Sequence, residues 1–353
     1  GGGRCNVTHH CFDPKVLVKN YPRGEKELIS AMQRFGPKQL CQWFEDEGVK
    51  LKVEADGRMF PVSNRSETIA QCLLSALDKA GVELCKSQKV SSVTKESSGF
   101  LLQLRDGKTL KADKIMLATG SSPIGHKIAS QLGHEIVKPI PSLFTFKIDD
   151  SFLADLSGQS VDNSCLTLSF PALGEKKKWR QQGPLLITHW GLSGPGVLKL
   201  SAFAARPLFE GGYKALLQVN WLGDVSVEQC YEKLWAQAKL HAKKECGSTP
   251  LFSLSKRLWR RFVSNFEECR WADLSKSQVR ELATKLCHSS FQVNGKGVFK
   301  EEFVTCGGVK RSEVNFKTME SKLVQSLFFS GEVLDIDGIT GGFNFQNAWT
   351  GSW

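Results

Sequence analysis

Residues 331–346 read GEVLDIDGITGGFNFQ and come one residue after the apolar run Leu327–Phe329. An apolar run of this length next to a glycine predicts a short buried strand. The strand Leu327–Phe329, followed by a glycine turn, would deliver Glu332 and Asp335 beyond its carboxyl end, where carboxylates accept hydrogen bonds from ribose or ribityl hydroxyls. This density of glycine and acid favours a ligand site over a structural turn. Residues 331–346 are called the acidic glycine segment.

The far end of this segment predicts the start of a helix. Gly341 and Gly342 precede Phe343 and Asn344, and a glycine pair is typical of a turn into a new element. The first N–H groups of a helix lack intrahelical acceptors and carry the positive end of the helix dipole. We therefore expect this end of the segment to face a negative or electron-rich group.

A second candidate site ends another apolar stretch. Residues 114–120 predict a strand that is buried on both faces, and Ala118, Thr119 and Gly120 form its end. Ligands of open α/β sheets bind beyond the carboxyl ends of strands, where a Thr-Gly turn presents a hydroxyl and bare backbone. The alternative is an ordinary strand-ending turn. Residues 118–120 are called the Ala-Thr-Gly segment.

A third candidate site is the glycine-rich start of the chain. Consecutive glycines let a ligand approach main-chain N–H groups closely, and an arginine beside them can neutralise a phosphate. The alternative is a flexible glycine run. The N-terminal glycine segment consists of Gly1, Gly2, Gly3, Arg4, Cys5 and Asn6.

Composition sets the class of protein. The chain has 353 residues, 41% of them hydrophobic, with a formal net charge of +11. This length points to two or three compact domains, and the composition excludes disordered, collagen-like and disulfide-scaffold proteins. No window approaches the roughly 18 apolar residues of a membrane helix, so we expect no membrane partner.

The cysteines predict a compartment rather than a site. All 11 are scattered singly, without a C-x-x-C pair or a histidine at ligand spacing. We therefore expect no metal site, and free thiols at apolar positions predict an intracellular protein in a reducing compartment.

The order of patterns predicts an α/β fold with an interruption. The first part predicts two short helices at Glu25–Phe35 and Pro37–Glu47, a helix from Ser66 with apolar residues at three- and four-residue spacing, and a strand at Val82–Cys85. Later parts show β-type runs, among them Val298–Val304, and amphipathic helices opened by capping boxes at Ser226 and Ser275. We predict a third helix between these two, at Leu251–Phe266. The predicted domains are a Rossmann-like domain at 1–138 and 307–353, a β-barrel-like domain at 139–224 and 286–306, and a helical domain at 225–285.

These observations together resemble a known family. The chain is similar to BaiN-type (YhiN-like) flavoproteins, which are NAD(P)/FAD-dependent oxidoreductases, over essentially its whole length. The resemblance implies FAD in a discontinuous Rossmann-like domain, with a β-barrel-like domain and a small helical domain inserted. The stretches that carry it, in order, are Gly1–Thr8, Ala118–Gly120, Thr188–Pro195, Cys306–Val309, Thr318–Lys322 and Gly331–Gln346.

The resemblance also implies roles for residues. Gly1–Asn6 and Gly342–Asn344 would lie near the flavin and the pyrophosphate, and Ala118–Gly120 would flank the cofactor. Glu332 and Asp335 would face the ribityl chain. NAD(P)H is a candidate reductant, and the substrate is a small molecule that the sequence does not name.

One part of the family pattern is absent from the sequence. The G-x-G-x-x-G turn between a first strand and helix, with an acidic residue after it, does not occur. We therefore expect the chain to be a fragment of a longer flavoprotein, so that FAD binding by this chain without the missing segment is open.

Reaction residues are less clearly marked. His189, in a predicted strand-end turn, is a candidate acid–base group and Cys5 a candidate redox group, although each also suits a structural role. The basic runs Lys176–Arg180 and Lys256–Arg261 support a rival function, a catalytically inactive flavoprotein fold whose helical domain contacts RNA or an acidic partner. Such runs are usually solvated faces, so the leading hypothesis is an FAD-dependent oxidoreductase without a nucleic-acid partner.

Overall fold

The computed structural model describes residues 3–297 and 304–353. They form two compact units. Unit 1 is built from Gly1–Ile140 and Val304–Trp353, and unit 2 from Pro141–Phe303.

Groups of helices and groups of strands follow one another along the chain. The helices are α1 (Pro14–Leu17), α2 (Glu25–Arg34), α3 (Pro37–Asp46), α4 (Ser66–Lys79), α5 (Pro123–Gln131), α6 (Pro195–Phe203), α7 (Ala205–Glu210), α8 (Val227–Leu240), α9 (Lys256–Phe262), α10 (Lys276–Cys287) and α11 (Phe343–Ser352). The strands are β1 (Thr8–His9), β2 (Leu51–Val53), β3 (Arg58–Pro61), β4 (Val90–Lys95), β5 (Phe100–Leu104), β6 (Thr109–Ala112), β7 (Ile115–Leu117), β8 (Ile136–Ser142), β9 (Phe146–Lys147), β10 (Ser160–Phe170), β11 (Glu175–Thr188), β12 (Gly191–Ser193), β13 (Ala215–Asn220), β14 (Ser289–Val293), β15 (Gly295–Lys296), β16 (Val304–Val309), β17 (Val314–Asn315), β18 (Glu320–Ser321) and β19 (Leu327–Phe329).

A parallel strand pair in unit 1 positions two of the candidate segments. The sheet runs β17-β18-β19-β7, and β19 pairs in parallel with β7 so that Phe329 lies opposite Leu117. Ser330 continues the pairing by donating its N–H to the Leu117 carbonyl at 3.1 Å. Because parallel strands end at the same edge, the Ala-Thr-Gly segment and the acidic glycine segment leave the sheet side by side.

Local sequence patterns explain several helices of unit 1. The predicted three- and four-residue spacing in α4 buries Ile69 and Cys72, which pack with Val7, Leu40 and Phe44 in one cluster. The predicted helices α2 and α3 are confirmed, and Gly36 between them lies so close to the Met32 carbonyl that a Cβ atom would be 2.6 Å from it.

Two strand predictions in unit 1 are wrong. Val82–Cys85 contains no strand, because the Val82 N–H closes the end of α4 on the Leu77 carbonyl and none of the described strands pairs with it. The strand within residues 114–120 is only Ile115–Leu117, and Met116 is 45% exposed. Side chains alternate between the faces of a strand, and only one face of this one is covered.

Unit 2 is a seven-stranded antiparallel sheet with helices packed against it. The order is β14-β13-β10-β11-β12-β9-β15, so β14 and β15, which Asn294 alone separates, pair at opposite ends. The segment 289–296 therefore pairs with both β13 and β9. Helices α8, α9 and α10 share one hydrophobic cluster with these strands.

The helices of unit 2 follow their predicted caps. Ser226 and Ser275 accept hydrogen bonds from the N–H groups of Gln229 and Gln278, as predicted. The predicted helix Leu251–Phe266 is shorter, because Ser255 caps it and its helical residues are those of α9. Most of the β run predicted at 298–304 lies outside the described residues. None of the described helices is long and apolar enough to span a membrane.

Candidate cofactor site

The N-terminal glycine segment meets the start of α11. With the Asn6 amide oriented so that both its atoms are hydrogen-bonded, it accepts from the Gly342 N–H at 2.9 Å and donates to the Thr8 carbonyl at 3.0 Å. Gly342 has φ of +93°, and a Cβ atom there would lie 2.6 Å from the Thr8 carbonyl carbon and oxygen. Only glycine fits this approach of two backbones, which joins the first and third candidate segments.

Helix α11 presents an uncapped N-terminus at this junction. Its first intrahelical bond is from the Gln346 N–H to the Gly342 carbonyl, and Gly342 has no side chain to cap the first turn. Within the described part of the chain, the N–H groups of Phe343, Asn344 and Phe345 have no acceptor. These donors and the positive end of the helix dipole suit an anionic or electron-rich ligand group.

Side chains behind the junction hold it in place. The buried Thr8 hydroxyl donates to Gln346 Oε1 at 2.6 Å, and the Tyr21 hydroxyl donates to the Phe343 carbonyl at 2.6 Å. His9 stacks on the Phe343 ring with a centroid distance of 4.8 Å. The first turn of α11 is therefore fixed before any ligand binds.

The Ala-Thr-Gly segment is exposed at the edge of the sheet. Gly120 has φ of +62° with open space where a Cβ atom would stand, so its backbone is accessible. A Cβ atom at Gly125, in α5, would overlap the Thr119 hydroxyl, so α5 packs directly on Thr119. Ala118 is exposed between the strand and this turn.

The acidic glycine segment connects both other segments. A Cβ atom at Gly331 would lie 3.4 Å from that of Ala348, so the segment begins beside the later part of α11. Gly342 and Ala348 lie about 9 Å apart along the helix axis, at about 1.5 Å per residue. The segment therefore reaches from the later part of α11 back to the N-terminus of that helix.

The two predicted carboxylates differ in their surroundings. Asp335 is buried, and its carboxylate and its carbonyl each accept from Arg311 Nη1 at 2.8 Å. Glu332 is half-buried and makes no ion pair within the described residues; burial raises its pKa, and the charge of Asp337 adds to the rise. The proposed roles of both residues stay predictions.

An ion pair that the sequence did not reveal fixes the same segment. Asp337 is fully buried and forms a bidentate pair with Arg23. Next to it, Gly24 has φ of +100°, and a Cβ atom there would lie 2.9 Å from Ile336. No local pattern predicts this pair, because the two residues are 314 positions apart.

Buried polar atoms without partners suit a bound cofactor. Asn347 on α11 is 1% exposed, and within the described chain both its amide atoms lack a hydrogen-bond partner. His126 on α5 is buried and bonded to the Val333 backbone, while its Nε2 atom has no partner among the described residues. Together with the uncapped helix and the open glycine backbone, these groups fit a polar cofactor.

The rest of the N-terminal glycine segment has mixed surroundings. Gly3 has φ of +73° with open space beside it, whereas Arg4 pairs with Glu54 and lies over the Phe60 ring at 3.9 Å. The Arg4 side chain therefore has structural partners already. Cys5 packs against the hydrophobic cluster around Val7, and burial raises its thiol pKa. Gly1 and Gly2 lie outside the described residues.

His189 belongs to unit 2 and not to the junction. It lies in the tight turn between β11 and β12 and lines a cavity of about 500 Å³. Asp149, Asp150, Asp155 and Arg257 line the same cavity. The structure thus places His189 among charged side chains, and its proposed acid–base role stays a prediction.

Known proteins are similar to this chain over nearly its whole length. The chain is 29% identical to a ribosomal RNA dihydrouridine synthase of Escherichia coli, over all of this chain and 86% of the relative. It is 31% identical to the protein of that name from Haemophilus influenzae, with the same coverage. It is 25% identical to a 3-dehydro-bile acid delta(4,6)-reductase of Clostridium scindens, over 99% of this chain and 86% of the relative.

The family assignment covers the full length. Residues 1–353 match the HI0933-like protein Rossmann domain. The resemblance expected from the glycine segments is therefore confirmed. The chain belongs to the HI0933-like (BaiN/YhiN) family of FAD-dependent oxidoreductases.

Proposed function

We infer that this protein uses FAD to reduce a carbon–carbon double bond conjugated to a carbonyl, and that its substrate is uridine in ribosomal RNA. Two kinds of relative have names that describe such a reduction. The ribosomal RNA dihydrouridine synthases reduce uracil, and the bile acid reductase reduces an unsaturated 3-keto bile acid. The observation that carries the cofactor part of the proposal is the contact of Asn6 with Gly342 at the uncapped N-terminus of α11.

The proposed FAD contacts follow from the chain's own donors and acceptors. The N–H groups of Phe343 and Asn344 would donate to an anionic or electron-rich part of FAD, and Glu332 would accept from a ribityl hydroxyl. Thr119 and Gly120 would line the cofactor at the sheet edge. When bound, FAD supplies the hydride transfer.

Reduction of a double bond also needs a proton, which the protein must hold or admit. The Cys5 thiol stays protonated at neutral pH because burial raises its pKa. Its Sγ–H, one residue from Asn6, is therefore a candidate proton donor. NAD(P)H is the proposed reductant of the flavin.

The preference for RNA rests on similarity and charge. The two ribosomal RNA dihydrouridine synthases are 29% and 31% identical to the chain, and the bile acid reductase is 25% identical. A net charge of +11 suits a polyanionic substrate better than a steroid.

The proposed architecture is a Rossmann-like domain with an inserted barrel-like domain and a helical domain at 225–285. The pairing of residues 289–296 with both β13 and β9 supports closure of the inserted sheet into a barrel. The shared hydrophobic cluster of α8, α9 and α10 with the sheet supports a helical excursion from that barrel.

The test is an anaerobic assay of the full-length protein. We expect NADPH or NADH to bleach the flavin absorbance, and unmodified ribosomal RNA then to restore it while dihydrouridine appears in the digested nucleosides. If the protein reduces an unsaturated 3-keto steroid and forms no dihydrouridine, the proposed RNA substrate is wrong and the steroid takes its place. A protein whose flavin no donor reduces, but which retains RNA, would support the catalytically inactive binding protein instead.

A further inference from the structure

A cationic cavity in unit 2 lies outside the cofactor site. It measures about 420 Å³, and its lining includes four basic side chains and one acidic side chain. These residues are Lys256, Arg257, Arg260, Arg261 and Glu267. We call this lining the α9 cationic cavity.

Helix α9 holds the cationic side chains in a fixed position. Its opposite face buries Leu258, Trp259 and Phe262, which are at most 2% exposed. Arg261 is fixed by donating to the carbonyls of Ser151 and Ala154 at 2.7 and 2.8 Å. Carbonyl contacts orient a guanidinium without neutralising its charge, so the cavity keeps its positive potential.

Acidic neighbours compensate only a part of this charge. Glu267 pairs with Arg260 at 3.1 Å. Across residues 3–297 and 304–353, Lys256 and Arg257 have no ion pair. Like charges fixed close together repel one another, and a bound polyanion relieves that repulsion.

The neighbouring cavity has the opposite character. Arg257 lines both cavities, and the second one carries Asp149, Asp150 and Asp155 beside His189. Phosphates would be repelled there, whereas the N–H groups of bases are donors that carboxylates accept. Each nucleotide of an RNA chain carries a phosphate and a base with N–H groups. The two kinds of group therefore lie one nucleotide or less apart.

We propose that these two cavities form a binding surface for single-stranded RNA, with the phosphates on the α9 cationic cavity and base edges toward the aspartates beside His189. The proposal deepens the proposed function, on which it rests for the choice of RNA over another polyanion. Lys256, Arg257 and Arg260 contact the backbone, and Arg257 marks the boundary between phosphate and base.

The experiment measures binding of a fluorescein-labelled single-stranded RNA to the full-length protein as a function of salt. Arg257→Ala with Arg260→Ala is compared with Lys239→Ala and Lys276→Ala, exposed residues of the same helical segment that do not line either cavity. Both double variants remove two positive charges. Circular dichroism checks that both are folded.

We expect the Arg257/Arg260 variant to bind RNA at least about tenfold more weakly near about 0.1 M salt, with the control unchanged. Each lost phosphate contact lowers the slope of log K against log salt by about 0.7, or about 1.4 for two contacts. Equal effects of both variants, or an unchanged slope, would overturn the proposal. Polyglutamate that competes as well as RNA would also overturn it, because charge alone would then suffice.

A separate readout distinguishes failure of the proposed function. Dihydrouridine formation by the wild-type protein tests the reaction, and the binding isotherms test the surface. If the protein forms no dihydrouridine while the Arg257/Arg260 variant still loses RNA, the reaction is wrong and the surface stands. If the wild type forms dihydrouridine and the variant binds RNA normally, the surface alone is wrong.

Discussion

Gly342→Ala is expected to remove most of the bound flavin, with at least a tenfold loss of FAD affinity, and to lower the free energy of unfolding by about 2–4 kcal/mol. Gly342 has φ of +93°, and the new Cβ would lie 2.6 Å from the Thr8 carbonyl. The backbone must therefore move, which breaks the hydrogen bond from its N–H to Asn6. That movement separates the N-terminal glycine segment from α11.

The control is Gly81→Ala in the same unit. Gly81 has φ of +67°, but nothing lies within 4 Å of a Cβ atom there. This variant keeps the cost of a left-handed alanine, about 1 kcal/mol, without the clash. Flavin absorbance per protein and chemical unfolding measure both variants. Equal flavin content in the two would mean that the close approach at Gly342 does not shape the cofactor site.

Arg23→Met is expected to destabilise the protein by about 3–5 kcal/mol, because it leaves the Asp337 carboxylate buried without its cation. The Asp337 side chain is 0% exposed and that of Arg23 is 9% exposed, so water does not replace the lost partner. Asp337 lies in the acidic glycine segment, and we expect FAD affinity to fall together with stability.

The double variant Arg23→Met with Asp337→Leu separates charge from packing. Apolar residues of similar volume often replace a buried ion pair without loss, so we expect it to recover most of the stability. Urea unfolding of the single and double variants gives the coupling energy. A single variant as stable as the wild type would show that the pair does not hold the segment.

Local sequence patterns were sufficient to predict the elements that depend on interactions between nearby residues. The spacing of Ile69 and Cys72 in α4 and the capping boxes at Ser226 and Ser275 depend on residues within one or two turns. Because caps and apolar spacing involve residues only a few positions apart, they are visible directly in the sequence. The apolar run of β19 was likewise sufficient to predict a buried strand, since a strand that is covered by its neighbours has few polar residues.

Contacts across long sequence separations were not predictable. Nothing in the local sequence indicates that Arg311 binds both the carboxylate and the carbonyl of Asp335. The same holds for the pairing of Arg4 with Glu54. Each partner is chosen by the register of distant segments, which residue type alone does not encode.

The candidate cofactor site shows both situations. Glycine density pointed to the candidate segments that contain Asn6, Thr119 and Gly342, because close backbone approach needs glycine wherever it occurs. The sequence gives no such signal for the atoms of Asn347 and His126 that lack a hydrogen-bond partner among the described residues. A buried asparagine on a helix resembles a solvated one until the packing around it is known.

The central claim is that these three segments hold one FAD. Hydrogen–deuterium exchange of the full-length protein with and without FAD measures it segment by segment. We predict that FAD slows exchange together in residues 3–9, 118–120 and 338–347. Slowed exchange confined to other parts of the chain, with flavin bound, would contradict the assignment of the site.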